Sequence, residues 1–206
     1  MELFVIRHTE VQNPKNLCYG NYDISLKPNY EHKSKIFFEN LPNDLDQIYS
    51  SPSKRCTDLL DLHNLNFNIH NDLRELDFGD WEGKKWDDID QTHLNYWMED
   101  YVNRSPKNGE KMIDLYKRSI EFTYKLVELD LQKILLVTHA GVIRSLISEA
   151  LSINLNQIFN IAVQYDEIYR FQINSSDKPS LLFLNMTNIL TGEITQKLDL
   201  CFGNIR

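Results

Sequence analysis

Short uninterrupted runs of apolar residues predict buried strands at several places along the chain. The clearest are residues 3–6 (Leu-Phe-Val-Ile) and residues 134–137 (Ile-Leu-Leu-Val). Such runs are typical of strands that are covered on both faces of a parallel sheet. Other segments are shorter or less regular but are also β-like. They lie at residues 47–50, 67–70, 167–173 and 180–184.

Apolar residues at helical spacing predict helices between these strands. Ser53 is a typical N-cap residue for one of them, since its hydroxyl could accept a hydrogen bond from the first helical turn. The segments at 13–23 and 72–83 predict loops. Helices are expected at residues 28–40, 53–63, 86–101, 108–129 and 140–151.

The order of these elements predicts the fold class. Because strands alternate with helices, we expect an α/β fold with a mostly parallel central sheet. No composition shift, repeat or low-complexity tract divides the chain, so residues 1–206 are expected to form a single domain. Its last part, residues 174–206, carries no chemical signal.

Composition restricts the classes of partner. The 206 residues are 42% hydrophobic and carry a formal net charge of −8, which argues against binding to nucleic acid or to an anionic membrane surface. No apolar run is long enough to span a membrane, and the first residues lack the features of a signal peptide. Three cysteines without paired spacing favour a reducing compartment. These features together predict a cytoplasmic protein.

Two of the predicted strands end in a histidine. Arg7 and His8 follow the first run, and His139 follows the run at residues 134–137 and precedes a small-residue helix start with Gly141. In open α/β sheets, ligands bind beyond the carboxyl ends of the strands, and a helix N-terminus favours an anion there. The position alone leaves two interpretations open. The histidines either are ordinary polar residues at strand ends or form an anion site.

Four segments, taken in order, resemble the motifs of a known family. Residues 7–10 are Arg-His-Thr-Glu, residues 50–55 are Ser-Ser-Pro-Ser-Lys-Arg, residues 73–83 contain Glu75 followed by Phe-Gly-Asp-Trp-Glu-Gly, and residues 137–144 are Val-Thr-His-Ala-Gly-Val-Ile-Arg. This set resembles the histidine phosphatase superfamily, the phosphoglycerate-mutase-like enzymes. The resemblance implies a three-layer α/β/α fold.

Within that superfamily the chain is similar to the α-ribazole phosphatases of cobalamin biosynthesis. The similarity lies in residues 18–23, in the Phe-Gly-Asp-Trp-Glu-Gly block and in the Asn-Gly-Glu of residues 108–110. Some positions depart from the family pattern. Thr9 stands where glycine is usual, Leu59 where threonine is frequent, and Asn29 and Tyr30 replace an expected glycine.

The resemblance implies a role for each residue of a site. His8 would be the nucleophile that forms a phosphohistidine, and Glu75 the general acid and base. Arg7, Arg55 and His139 would hold the phosphoryl oxygens. A neutral histidine can attack phosphorus near neutral pH. Further residues are expected to line the substrate pocket, and neither a metal ion nor an organic cofactor is implied. These pocket residues are Asn13, Tyr19 and Gly20.

Several alternatives remain at this point. The substrate is expected to be a small-molecule phosphomonoester, either α-ribazole 5′-phosphate or a broad range of sugar phosphates and nucleotides. The chain could also be a mutase or a catalytically silent binding protein, and a homodimer is compatible with the sequence. Arg144 is expected to be structural, and Trp81, Trp86 and Trp97 to be core residues. An acidic loop without the spacing of a calcium-binding loop is not expected to hold a cation.

Overall fold

A seven-stranded sheet forms the centre of the part of the chain that the computed structural model describes, residues 1–175 and 178–196. The sheet has the order β3-β2-β4-β1-β5-β6-β7. The strands are β1 Glu2–Arg7, β2 Gln47–Ser50, β3 Asn68–Ile69, β4 Lys133–Thr138, β5 Glu167–Asn174, β6 Ser180–Asn188 and β7 Ile194–Thr195.

The sheet is parallel at its core and antiparallel on one side. β1 and β2 both pair with β4 in parallel, and β3 pairs with β2 in parallel. β5 then pairs antiparallel with β1, and β6 and β7 extend this antiparallel side. The expected α/β fold with a parallel central sheet is therefore confirmed. The expected three-layer arrangement follows from the helices that cover the two faces.

Alternating residues of β1 supply the two cores, because successive side chains of a strand point to opposite faces. Leu3 and Val5 pack with α4 and α5 on one face, and Phe4 and Ile6 pack with α1 and α2 on the other. All four side chains are buried. The helices are α1 Tyr30–Asn40, α2 Lys54–Asp61, α3 Gln91–Glu99, α4 Met112–Lys125 and α5 Ala140–Leu151. Short 3₁₀ turns lie at Asn71–Leu73, Gly79–Trp81, Trp86–Asp88, Leu126–Leu129 and Leu155–Asn160.

Helix boundaries differ from the predicted ones for local reasons. α4 begins at Met112 and not at residue 108, because Asn108 has a φ of +60°, which a right-handed helix does not accommodate. The segment at 86–101 forms a 3₁₀ turn followed by α3 and not one helix, since the carboxylate of Asp90 caps the start of α3 by accepting hydrogen bonds from amides of its first turn. Ser53 does precede α2, but its side chain makes no capping hydrogen bond.

The described residues also include parts that carried no clear pattern. β6 extends to Asn188, four residues beyond the predicted end, and β7 was not expected. Cys18 and Cys56 are free and buried, whereas Cys201 lies outside the described residues together with the rest of 197–206. None of the described helices is long and apolar enough to cross a lipid bilayer.

Candidate active site

The register of β1 on β4 brings the two strand-end histidines together. Arg7 pairs with Thr138, so the next residues, His8 and His139, leave the sheet side by side. Their ring centroids are 5.2 Å apart, and both rings are almost inaccessible to solvent. Two residues that are 131 positions apart in the sequence therefore form one site.

The backbone selects one tautomer of His8. Its Nδ1 lies 2.7 Å from the carbonyl oxygen of Thr9, which can only accept a hydrogen bond. Nδ1 therefore carries the proton, and Nε2 presents a lone pair. Burial, helped by the charges of Arg7 and Arg55, holds the pKa of His8 well below its ordinary value. The ring is consequently neutral near pH 7, as a nucleophile requires.

His139 is held in a polar niche at the start of α5. Its Nε2 lies 2.7 Å from Oγ of Ser51, which belongs to the segment between β2 and α2. Burial and the positive charge of Arg55 lower its pKa well below the ordinary value, with smaller effects from His8, Arg7 and Arg118. His139 is therefore a neutral hydrogen-bonding group in the free protein.

Arg7 is fixed by a segment that precedes β5. One Nη atom donates to the carbonyl of Val163 at 2.8 Å, and the other donates to the hydroxyl of Tyr165 at 3.0 Å. The ring of Tyr165 also stacks on the guanidinium, with 3.8 Å from the ring centroid to Cζ, and lies 5.8 Å from the ring of His8. This stacking is a cation–π contact. Tyr165 therefore orients the cation that lies beside the nucleophile.

Arg55 extends from α2 beneath the loop at residues 18–23. It is 1% exposed and donates to the carbonyls of Gly20 and Tyr22, the latter at 3.1 Å. Gly20 must be glycine here, since a Cβ would lie 1.8 Å from the carbonyl oxygen of Leu76. The guanidinium of Arg55 is near enough to both histidines for its charge to lower their pKa.

Glu75 faces the N-terminus of α5. Its two carboxylate oxygens accept from the amide of Gly141 at 3.1 and 3.2 Å, and one also accepts from the amide of Leu76 at 2.9 Å. The positive end of the helix dipole favours a carboxylate at this position. Oγ of Thr138 donates to the carbonyl of Leu73, which ties the loop that carries Glu75 to the end of β4.

Several of these groups line a small cavity of about 190 Å³, called the inner cavity here. Its ionisable wall residues are Arg7, His8, Tyr19, Glu75 and Arg144. Arg55 and His139 are buried close to His8 but do not line this cavity. The inner cavity adjoins a larger cleft of about 560 Å³, the outer cleft, because both are lined by the same three aromatic residues. These residues are Phe78, Trp86 and Phe159.

The local charge is opposite to that of the whole chain. In the ranges that the structure describes, Arg7, Arg55 and Arg144 form no ion pair with a carboxylate. Four buried polar atoms of the site also lack a hydrogen-bond partner there: Nε of Arg7, Oγ1 of Thr9, Nε of Arg55 and Nδ1 of His139. Unpaired buried donors are costly, and an oxyanion satisfies them. The site is therefore suited to an anion such as a phosphoryl group.

The structure brings together the five residues that were expected to carry the chemistry: Arg7, His8, Arg55, Glu75 and His139. The three residues that were expected to line the substrate pocket lie in different places. Tyr19 lines the inner cavity, and its hydroxyl lies 3.4 Å from that of Tyr165. Gly20 contacts Arg55 through its carbonyl. Asn13 closes its own loop by two hydrogen bonds to the backbone of Leu17 and does not line the inner cavity.

Other predictions about the site need correction or addition. Trp81 and Trp97 are core residues as expected, although Trp97 also lines the outer cleft, and Trp86 lines both cavities. Arg144 has a structural bond from Nε to the carbonyl of Ile161 at 2.9 Å, but it also lines the inner cavity. Tyr165 was missed, because no motif surrounds it. Among the described residues, no group of three or more His, Cys, Asp or Glu side chains could hold a metal ion.

Thr9 fits the position where the family usually has glycine. Its backbone φ is not positive, so a β-branched residue meets no strain there. Its side chain is 1% exposed, and its carbonyl is the acceptor that orients His8. The backbone interaction is available to any residue at this position.

Comparison with known proteins places this geometry in a family. The sequence model described as "Histidine phosphatase superfamily (branch 1)" matches residues 3–187. A Hydrogenobacter thermophilus protein, provisionally named phosphoserine phosphatase 2, is 26% identical over 192 residues, which cover 89% of this chain and 94% of that protein. The adenosylcobalamin/alpha-ribazole phosphatase of Salmonella typhimurium is 26% identical over 80% of this chain and 86% of its own length.

Solved structures agree with the sequence comparison. The alpha-ribazole phosphatase from Shigella flexneri superposes with a TM-score of 0.79 at 26% identity, covering 89% of this chain and 96% of that chain. The range matched by the family model, residues 3–187, includes both the parallel core and most of the antiparallel side of the sheet. Together with the family match and the buried pair of histidines, the superposition identifies the chain as a phosphatase that belongs to branch 1 of the histidine phosphatase superfamily.

Proposed function

We propose that the protein hydrolyses phosphomonoesters through a covalent phosphohistidine on Nε2 of His8. The observation that carries this proposal is the 2.7 Å contact between Nδ1 of His8 and the carbonyl of Thr9. It leaves Nε2 unprotonated beside guanidinium groups and away from bulk water. A nucleophile with a lowered pKa and a fixed orientation is what displacement at phosphorus requires.

In the first step, the lone pair of Nε2 attacks phosphorus, and the bond from phosphorus to the ester oxygen breaks. Arg7 stabilises the negative charge on the phosphoryl oxygens from the wall of the inner cavity, and the buried Arg55 and His139 add to this stabilisation from positions close to His8. Glu75, when protonated, transfers its proton to the departing alkoxide, which leaves as an alcohol. The imidazole then carries the phosphoryl group on Nε2, and the Thr9 carbonyl still accepts the proton on Nδ1.

In the second step, water attacks the phosphohistidine. The Glu75 carboxylate accepts a proton from the water, the bond from phosphorus to Nε2 breaks, and inorganic phosphate leaves. His8 recovers its neutral form and Glu75 its proton, so the cycle closes. Both steps use side chains of this protein only.

The substrate that we propose is α-ribazole 5′-phosphate, whose leaving group is a nucleoside with a planar aromatic base. Two observations support it. The outer cleft of about 560 Å³ has the size of a site for a small organic group and is walled by Phe78, Trp86 and Phe159. Relatives named for alpha-ribazole phosphatase match most of the chain. Aromatic walls favour a planar, apolar leaving group.

A second candidate is a small ester that carries a carboxylate, such as phosphoserine. Arg144 favours it, because its guanidinium lines the inner cavity and its one side-chain hydrogen bond within the described residues comes from Nε. Burial lowers the pKa of Arg144 from the ordinary value, and an anionic group of the substrate would compensate for this burial. The Hydrogenobacter relative carries a name of this kind.

One steady-state experiment tests both parts of the proposal. Wild-type protein and His8→Asn are assayed with EDTA present against α-ribazole 5′-phosphate, O-phospho-L-serine, ribose 5-phosphate and p-nitrophenyl phosphate. We expect hydrolysis by the wild type with the highest kcat/KM for α-ribazole 5′-phosphate. We expect a fall of about 10³-fold or more in His8→Asn, because a nucleophile has been removed.

Each contrary result has a distinct meaning. Activity of His8→Asn near the wild-type rate would exclude His8 as the nucleophile. Loss of wild-type activity in EDTA would contradict a mechanism that uses protein side chains alone. A higher kcat/KM for O-phospho-L-serine would replace the nucleoside substrate by the second candidate. An isomerised product that depends on an added bisphosphate would indicate a mutase.

A further inference from the structure

One arginine outside the inner cavity uses all five of its N–H donors. Arg118, on α4, donates from Nε and one Nη to the two carboxylate oxygens of Glu110, at 2.7 and 2.8 Å. Its other three donors reach backbone carbonyls: those of Asp72 at 2.6 Å, Arg74 at 2.9 Å and Glu75 at 3.2 Å. Every N–H donor of the guanidinium is therefore hydrogen-bonded, either to the Glu110 carboxylate or to a backbone carbonyl of residues 72–75.

Glu110 holds the far end of the same loop. Its backbone amide donates to the carbonyl of Asp77 at 2.8 Å, and its carboxylate accepts from the Asp77 amide at 3.5 Å. The side chains of Arg118 and Glu110 are only 16% and 19% exposed. A bidentate, largely buried pair of this kind has a well-defined geometry. In the loop at residues 72–77, Arg118 therefore holds the first part and Glu110 holds the other end, at Asp77.

The loop that these two residues hold carries Glu75. The Glu75 carbonyl accepts from Arg118 on α4, while its carboxylate accepts from Gly141 on α5. Arg118 itself lies on a separate surface hollow with Glu110 and does not line the inner cavity. Any effect of this pair on the reaction must therefore pass through the loop.

We infer that Arg118 and Glu110 are positioning residues that hold Glu75 where it can protonate the leaving group. This inference rests on the proposed role of Glu75 as general acid. A displacement of about 1 Å in a reacting group can cost about 10²-fold in rate. Replacing the five-donor fork with a lysine ammonium, which has three donors, removes the planar match to Glu110 and leaves at least two of the five acceptors without a donor.

The leaving group distinguishes positioning of an acid from a general loss of structure. p-Nitrophenolate is stable without a proton, so p-nitrophenyl phosphate gains little from Glu75. Ribose 5-phosphate releases a strongly basic alkoxide and depends on the proton. Because kcat/KM includes the first chemical step, a misplaced acid lowers kcat/KM for the alkyl ester selectively. Partial unfolding would lower it equally for both esters.

The test compares Arg118→Lys and Glu110→Gln with wild type, Glu75→Gln and the control Arg104→Lys. Arg104 also pairs with a glutamate, Glu99, but the hydrogen bonds of its side chain among the described residues go to Glu99 and to the carbonyl of Tyr96 and not to the loop. For both positioning variants we expect kcat/KM for ribose 5-phosphate to fall about 10- to 100-fold and that for p-nitrophenyl phosphate less than about 3-fold. Arg104→Lys should change neither ester by more than about 2-fold.

The outcomes separate this inference from the proposed function. If Glu75→Gln is selective for the alkyl ester but Arg118→Lys and Glu110→Gln lower both esters equally, or neither, the positioning role is wrong and the acid role stands. If Glu75→Gln is itself unselective, the acid role fails and the positioning role fails with it. Should Arg118→Lys not fold by circular dichroism, Glu110→Gln, which keeps the side-chain shape, decides the question.

Discussion

At the scale of single residues, backbone atoms control the chemistry as much as side chains do. The carbonyl of Thr9 sets the tautomer of His8, and the amide of Gly141 holds the carboxylate of Glu75. Neither contact uses the side chain of Thr9 or a side chain at position 141, because a backbone atom makes each one. A close approach to the backbone does, however, restrict the residue that can stand there, and Gly141 is the clearest example.

We predict that Gly141→Ala impairs activity although alanine is a better helix former. A Cβ at this position would lie 2.1 Å from Oε1 of Glu75, so the carboxylate must move away from the amide that holds it. The expected fall in kcat/KM for ribose 5-phosphate is about 10-fold or more. Gly192→Ala is the control: its φ of +71° makes alanine strained, but no atom of the described residues beyond its chain neighbours lies within 4 Å of the new Cβ.

The control should lose about 1 kcal/mol of stability through backbone strain and keep its activity within about 2-fold. Gly141→Ala should show the opposite balance, with activity affected more than the urea midpoint. Unchanged kcat/KM in Gly141→Ala would mean that Glu75 tolerates displacement. That result would contradict the idea that the Glu75 carboxylate must be held in one position.

At the scale of elements, a lysine on α1 joins two segments that meet at the active site. Nζ of Lys33 lies 2.7 Å from a carboxylate oxygen of Glu10 and 2.9 Å from one of Asp166. Glu10 follows the Arg7–His8 strand end, and Asp166 follows Tyr165, which stacks on Arg7. The three side chains are 14%, 27% and 23% exposed, so the charges are partly desolvated.

We predict that Lys33→Met lowers the free energy of unfolding by about 1–2 kcal/mol, because it leaves two partly buried carboxylates side by side without their cation. Lys35→Met is the matched control on the same helix. Lys35 meets Glu39 at 3.8 Å, and both side chains are mostly exposed, so its loss should change stability by less than about 0.5 kcal/mol. Urea denaturation measures both, and equal effects would contradict the bridging role of Lys33.

At the scale of the whole molecule, a chain with a net charge of −8 keeps a cationic site with two neutral histidines. Burial lowers the pKa of His8 and His139 well below the ordinary value, and burial also lowers the pKa of His63. In the unfolded chain these rings regain an ordinary pKa of about 6.5. Unfolding therefore takes up protons at mildly acidic pH.

We predict that stability falls as the pH is lowered from about 7.5 to 5. Because the unfolded state binds more protons than the folded state in this window, the free energy of unfolding decreases by up to about 1.4 kcal/mol per pH unit for each buried histidine. The loss begins near the unfolded pKa and continues until the folded pKa is reached. Urea denaturation at a series of pH values measures the slope.

Two variants identify the source of the slope. His8→Asn and His139→Asn should each reduce it by about the share of one histidine, because each variant removes one buried ring. A stability that is flat or rising as the pH falls through this window would show that the rings are charged in the folded protein.

Local patterns in the sequence were sufficient for the central strands and for the motif-bearing side chains. The runs at residues 3–6 and 134–137 must be buried on both faces, so β1 and β4 follow from hydrophobicity alone. His8, Arg55, Glu75 and His139 lie in compact motifs, which is why a resemblance could select them. His8 and Glu75 line the inner cavity, and His139 and Arg55 lie close to His8, which agrees with that selection. Their catalytic roles are a proposal.

Only the tertiary structure decided which distant residues complete the site. Tyr165 and Val163 hold Arg7 across more than 150 positions, and Arg118 holds the Glu75 loop across more than 40. These contacts depend on how β5 joins β1 and on how α4 packs beside the loop, and no local pattern encodes either. The sequence by itself therefore determined the strands and the reactive groups, whereas packing between remote segments determined their orientation, because hydrogen bonds form only where folding has already brought donor and acceptor together.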